Sequence, residues 1–176
     1  MNAIQNNQPI IFNETLKNDF KSINVFFIEI ASKIAYQYND IYIHNIATQS
    51  QYNVNKMIKD KVIQWKQTKE EIEEDIITIK HELNKPIILV SHIVTYKRGE
   101  RYILSKWLEE FCLKHNILFI NPYKELIAKG CETNKLFEKG EPILKHYTDY
   151  GHEAIKEIYR DFINKLKWLC NNLVHN

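Results

Sequence analysis

"PIILVSH", residues 86–92, is a short unbroken apolar run that opens on a proline and closes on a serine and a histidine. Ile87, Ile88, Leu89 and Val90 leave it no polar face. A strand of that kind is covered on both sides, as strands of a parallel sheet are. Two other runs read the same way. "INVFFIEI" (23–30) has only Asn24 and Glu29 as polar members, and "ILFINP" (117–122) is closed by Pro122.

Helical patterns separate these runs. Thr68-Lys69-Glu70-Glu71 fits a capping box, with Ile72, Ile76, Ile79 and Leu83 at helical spacing behind it. "RYILSKWLEEFCLKHN" (101–116) gathers Leu104, Trp107, Leu108, Phe111 and Cys112 on one face. A short helix, "YKELIAKG" (123–130), ends at Gly130. A last helix begins near Gly151 and carries Ile155, Ile158, Phe162, Leu166 and Leu169. Residues 35–46 centre on Asn39-Asp40, a pair that favours a turn, and read as a small hairpin. Residues 48–56 read as a loop, the stretch from Met57 to Trp65 as a helix, and residues 1–20 as an arm or a weak helix. Alternation of strands and helices means βαβ units. The expected fold is therefore one α/β domain over residues 1–176, in three α/β/α layers around a flavodoxin-like parallel sheet.

Composition narrows the function classes. A net charge of +2 over 176 residues is too mild for a nucleic-acid surface. The most basic segment, Lys97 to Arg101, looks like a loop leading into a helix. Cys112, Cys131 and Cys170 form no C-x-x-C pair, which argues against a zinc knuckle and for a reducing, cytoplasmic setting. His44 and His81 are too scattered to suggest a metal site, so neither metal nor organic cofactor is expected. No signal peptide is evident, and no run reaches the roughly 18 apolar residues of a membrane span. Nothing in the sequence bears on the oligomeric state.

In open α/β sheets, ligands bind beyond the carboxyl ends of the strands. That rule selects Glu29 to Lys33, Ser91-His92, Asn121 to Tyr123, and the loop "HYTDYGH" (146–152). Asp149 and His152 stand three apart at a helix entrance. A carboxylate that holds one ring nitrogen of a histidine makes the other a general base, and Gly151 would let the backbone bend between them. Alternatively, Thr148 or Asp149 merely caps the helix and His152 lies in solvent. Ser32, Ser91 and Ser50 compete as nucleophiles. Ser32 lies just past a strand end but also suits a cap or turn. Ser91 and His92 point to opposite faces of a strand and cannot form a simple dyad. Ser50 falls in a loop. Glu29 is costly in an apolar run unless it is paired, for example with Lys33 or Arg101, or faces a pocket. Tyr147 suits either a sugar-binding rim or a cover over the sheet end.

"HYTDYGH" resembles the last block of the SGNH/GDSL-type hydrolases, in its H-x-T-x-x-G-H versions. "INVFFIEIASK" and "KPIILVSHI" also resemble the branch associated with bacterial capsule and surface-polysaccharide biosynthesis and its GSCFA relatives. The likeness spans roughly residues 23 to 165. It implies an esterase or acyltransferase acting on acylated saccharides, with His152 as general base and Asp149 as its orienter; Ser32, from its place past a strand end, is the candidate nucleophile. Glu29, His92, Arg101 and Tyr147 would contact substrate. The chain departs from the family in having no G-D-S block and no G-x-N-D block. That departure leaves open that the first β-α unit is missing. It favours a competing expectation: a non-catalytic relative that binds a glycan or a protein partner, or a fragment completed by another chain.

Overall fold

The computed structural model describes residues 4–5, 8–9, 14–43, 60–139 and 146–173. His44, Ser50, the loop at 48–56 and the start of the helix expected from Met57 lie outside the described residues, as do the side chains of Leu169 and Cys170. The chain divides into two compact units, Met1–Ile88 and Leu89–Asn176.

The first unit begins with an antiparallel pair, β1 (Ile4–Gln5) and β2 (Gln8–Pro9), followed by α1 (Glu14–Ser22) and β3 (Phe26–Ile30). Then come β4 (Ile34–Tyr38), β5 (Ile41–Tyr42), β6 (Ile63–Lys66) and α2 (Lys69–Leu83). Strand β7 (Ile87–Ser91) contains the boundary between the units. The second unit continues with α3 (Glu100–Lys114), β8 (Leu118–Ile120), α4 (Pro122–Ala128), α5 (Thr133–Leu136) and α6 (Asp149–Leu173).

A three-stranded parallel sheet runs in the order β3-β7-β8, so the protein is α/β. The sequence explains the middle place of β7. All five of its residues are buried, as four successive aliphatics require. β3 differs from the expectation of a strand covered on both faces. Four of its residues are only half-buried and Glu29 is exposed. The reason is position: β3 is an outer strand, with a hydrogen-bonded neighbour on one side in this sheet. Exposure also removes the burial cost expected at Glu29.

The Asn39-Asp40 turn is as the sequence predicts. Both residues have positive φ, 47° and 61°, as the mirror-image turn of a two-residue hairpin demands. β4 pairs with β5 on one side and with β6 on the other, both antiparallel. Residues 63–66 overturn the expected helix through Trp65. Ala35 lies opposite Trp65 and Gln37 opposite Ile63, and the Tyr42 and Trp65 rings meet at 5.8 Å. Alternation of Ile63 and Trp65 with Gln64 and Lys66 is a period-two pattern, and the long-range partner β4 decides in its favour.

α2 has the expected capping box. Glu71 N donates to Thr68 Oγ1 at 3.2 Å, and Thr68 N donates to the Glu71 carboxylate at 2.6 Å. Its C-cap is Asn84, in the left-handed region at φ 45°, so the helix stops before Pro86.

In the second unit the core is aliphatic and aromatic: Leu104, Leu108, Phe111 and Cys112 of α3, Ile120 of β8, Leu126 of α4, Leu136 of α5, and Ile155 and Ile158 of α6. Each such side chain contributes about 1.5–3 kcal/mol when fully buried. Ion pairs such as Lys129–Asp161 are exposed and screened, and add little. Pro122 does not simply close the third strand. It is the first residue of α4, where its missing N–H costs nothing, and Asn121 caps that helix by accepting from Lys124 N at 3.1 Å.

Candidate functional site

The second unit has a cleft of about 610 Å³ beyond the carboxyl ends of β7 and β8. Three segments line it: Val94 to Lys97 after β7; Tyr102, Ser105 and Lys106 on α3; and Asn121, Tyr123, Lys124, Ile127 and Ala128 at β8's end and on α4. Local chemistry fixes this wall. Ser105 is 5% exposed, and its hydroxyl accepts from Asn121 Nδ2 at 3.3 Å. Asn121 Oδ1 accepts the α4 cap bond, and the second amide hydrogen of Asn121 remains free to donate. Lys124 Nζ reaches Glu109 at 2.5 Å and Lys106 Nζ reaches the same carboxylate at 3.4 Å, tying α4 to α3. The hydrogen bond from Lys124, opposed by partial burial and aided by the Lys106 charge, holds the Glu109 carboxyl below its ordinary range. The arrangement suits a polar ligand with a flat face. Three tyrosines offer rings and hydroxyls; Asn121, Thr95 and three lysines offer donors.

No protein-family model, curated protein or solved structure matches the chain.

The residues expected from the sequence fall in both units. In the first, Ser32 is exposed and its hydroxyl accepts from Ile34 N at 3.0 Å, a turn that leads into β4. Glu29 lies exposed on β3.

In the second unit, Ser91 ends β7 at 1% exposure, and its hydroxyl has no hydrogen-bond partner among the described residues. His92 follows, half-buried. Arg101 stands in the first turn of α3, half-buried, with Nη1 buried and without a hydrogen bond among the described residues. Tyr147 is stacked on Phe137 with ring centres 5.5 Å apart, and the His152 ring meets Tyr147 at 5.5 Å and 59°. Asp149 and His152 are both exposed, and no hydrogen bond or ion pair joins them among the described residues.

The helix entrance at 146–152 has the features of the capping alternative, with His152 exposed. The cap is Thr148, not Asp149: its hydroxyl accepts from Gly151 N at 3.1 Å and donates to Lys135 O at 2.5 Å. α6 begins at Asp149, so Gly151 is already inside the helix and does not bend the chain. It is glycine because the backbone of Leu136 passes against it, where a Cβ would overlap the Leu136 carbonyl oxygen. A bridge between Phe137 and Tyr147 holds that crossing.

Sequence reasoning reached the strand ends, Ser91-His92 and Asn121 to Tyr123. It passed over Tyr102, Ser105 and Lys106, whose spacing of three and four marks the polar face of α3 beside the loop after β7. Cys112 behaves as the sequence suggests, a buried small hydrophobe whose thiol is pushed up to about 12 by burial. Cys131 is half-exposed. Among the described residues no three His, Cys, Asp or Glu side chains cluster to hold a metal. No helix of the described residues is long and apolar enough to cross a membrane.

The Ser91 hydroxyl gives a direct test. A buried hydroxyl without a partner costs about 1–3 kcal/mol of desolvation. Ser91→Ala is therefore expected to hold the melting temperature or raise it by about 2–4 °C. A clear fall on a calorimetric scan would show that the hydroxyl is bonded and stabilising.

Proposed function

We propose that the chain binds a saccharide in the cleft beyond β7 and β8, on a three-layer, flavodoxin-like framework of the SGNH-hydrolase kind, and serves surface-polysaccharide biosynthesis in the bacterial cytoplasm. One observation carries this reading. The cleft lies at the carboxyl ends of two parallel strands and is lined by Tyr96, Tyr102, Tyr123 and Asn121. Ligands of open α/β sheets bind at that end. Aromatic faces take the apolar side of a sugar ring, and fixed amide and hydroxyl groups take its hydroxyls. The absence of a G-D-S block favours binding over turnover. Calorimetric titration of the chain with short oligosaccharides tests the reading. Binding that Tyr102→Ala weakens at least about tenfold, roughly 1.4 kcal/mol, is expected. Oligosaccharides that bind Tyr102→Ala and the parent chain alike would refute it.

A second reading, acyl transfer from a sugar ester, keeps support from one arrangement. Asp149 and His152 share a face of α6 one turn apart, and His152 is open to solvent with its ring against Tyr147. In that reading a serine hydroxyl attacks the ester carbonyl, His152 takes the serine proton and returns it to the departing sugar oxygen, and water then releases the acid from the serine. Labelling with a fluorophosphonate probe decides it. Labelling lost in both Ser32→Ala and His152→Ala supports acyl transfer; an unlabelled parent chain ends it.

A further inference from the structure

We infer that the cleft beyond β7 and β8 selects an anionic saccharide, one that carries a carboxylate or phosphate, held by Lys97, Lys106 and Lys124 of its lining. The inference rests on the saccharide reading above and gives it a substrate class. Its basis is the charge of the lining. Lys97, Lys106 and Lys124 all border the cleft, and no aspartate or glutamate does among the described residues. Glu109 sits behind Lys106 and Lys124 and serves both. Three ammonium groups against one carboxylate leave the cleft with uncompensated positive charge. Lys97 is exposed and makes no ion pair among the described residues.

The hydrogen-bonding functions point the same way. The lysines can only donate, and the second amide hydrogen of Asn121 adds a further free donor. The wall is therefore rich in donors, and it has no carboxylate to accept from sugar hydroxyls, as a site for a neutral sugar commonly requires. An acceptor-rich group satisfies it. The lysines stand on separate segments, the loop after β7, α3 and α4, and Tyr96, Tyr102 and Tyr123 of the same lining can supply faces for the ring.

Glu109 gives the cleft a counter-charge that a bound anion must share. When a ligand carboxylate approaches Lys124, it competes with Glu109 for the same ammonium. Neutralising Glu109 should thus strengthen anion binding, an effect opposite in sign to that of damage to the fold.

The experiment is titration of the whole chain with an oligogalacturonate, its neutral methyl ester, glucose 1-phosphate and inorganic phosphate. The acid should bind about tenfold or more tighter than the ester at low salt, as two close ion pairs allow, and lose that margin at high salt. Glu109→Gln should tighten the acid several-fold and leave the ester unchanged. Lys97→Gln and Lys124→Gln should each weaken the acid. The two phosphates tell a phosphate-bearing sugar from a carboxylate-bearing one: tighter binding of glucose 1-phosphate than of the acid assigns the charge to phosphate. If the ester binds as tightly as the acid, or if none of the three variants changes the difference, the anion inference is overturned while the saccharide reading stands. If phosphate alone binds, or nothing does, both fall.

Discussion

Gly151→Ala is expected to destabilise the protein by about 3 kcal/mol or more, although alanine is ordinarily the better helix former by about 1 kcal/mol. The added methyl would overlap the carbonyl oxygen of Leu136 and come within 2.8 Å of Tyr147 Cδ1. The first obstacle is backbone, and it is held in place. Thr148 N donates to Leu136 O at 3.1 Å, Glu138 N donates to His146 O at 3.0 Å, and the Leu136 side chain is fully buried. A crossing fixed on both sides cannot open by a few tenths of an ångström without losing those bonds. The overlap therefore outweighs the helix propensity. Urea unfolding followed by circular dichroism measures the loss. A variant as stable as the parent would mean that residues 136–138 yield freely and that the crossing is not what demands glycine.

Leu89→Ala is expected to cost about 2–5 kcal/mol, the range for emptying a fully buried aliphatic site. Leu89 is 0% exposed, between Ile88 at 1% and Val90 at 4%. Neighbours on the middle strand of a sheet have little freedom to collapse into the space. Ile63→Ala is the natural control. Ile63 is 61% exposed on β6, and its truncation should change stability by no more than about 0.5 kcal/mol. Equal effects of the two truncations would contradict the placing of β7 inside the core.

What could be read in the sequence was local or strongly patterned. Four aliphatics in a row made β7 a buried strand. Thr68 and Glu71 announced the start of α2, and Asn39-Asp40 announced a tight hairpin because those residue types tolerate positive φ. What could not be read depended on distant partners. Nothing within residues 63–66 reveals that β4 lies alongside, so a helical reading through Trp65 was as natural as the strand that forms. The half-burial of β3 follows from its outer place in the sheet, which no local pattern encodes. At the site, the carboxyl-end rule singled out Ser91-His92 and Asn121 to Tyr123. The lysines and tyrosines of the cleft come together only through the packing of α3 and α4. The Asp149/His152 pair was conspicuous by residue type, yet the folded loop engages Thr148 and Gly151 most closely, for reasons of capping and close approach.

The middle place of β7 also sets an order of events. Its neighbour β8 is reached through a single helix, and Ile117 N already bonds Cys112 O at the end of α3. Its other neighbour, β3, lies beyond an entire antiparallel sheet and α2, and joins through a bond from Phe26 N to Pro86 O that closes a very long loop. Long closures are slower to form and dearer in entropy than short ones. During refolding the α3–β8 hairpin-like segment should consolidate on β7 early, and β3 should dock late. Until it does, one edge of a wholly apolar-cored strand stays open, and that interval is when the protein is most prone to pair with another copy of itself.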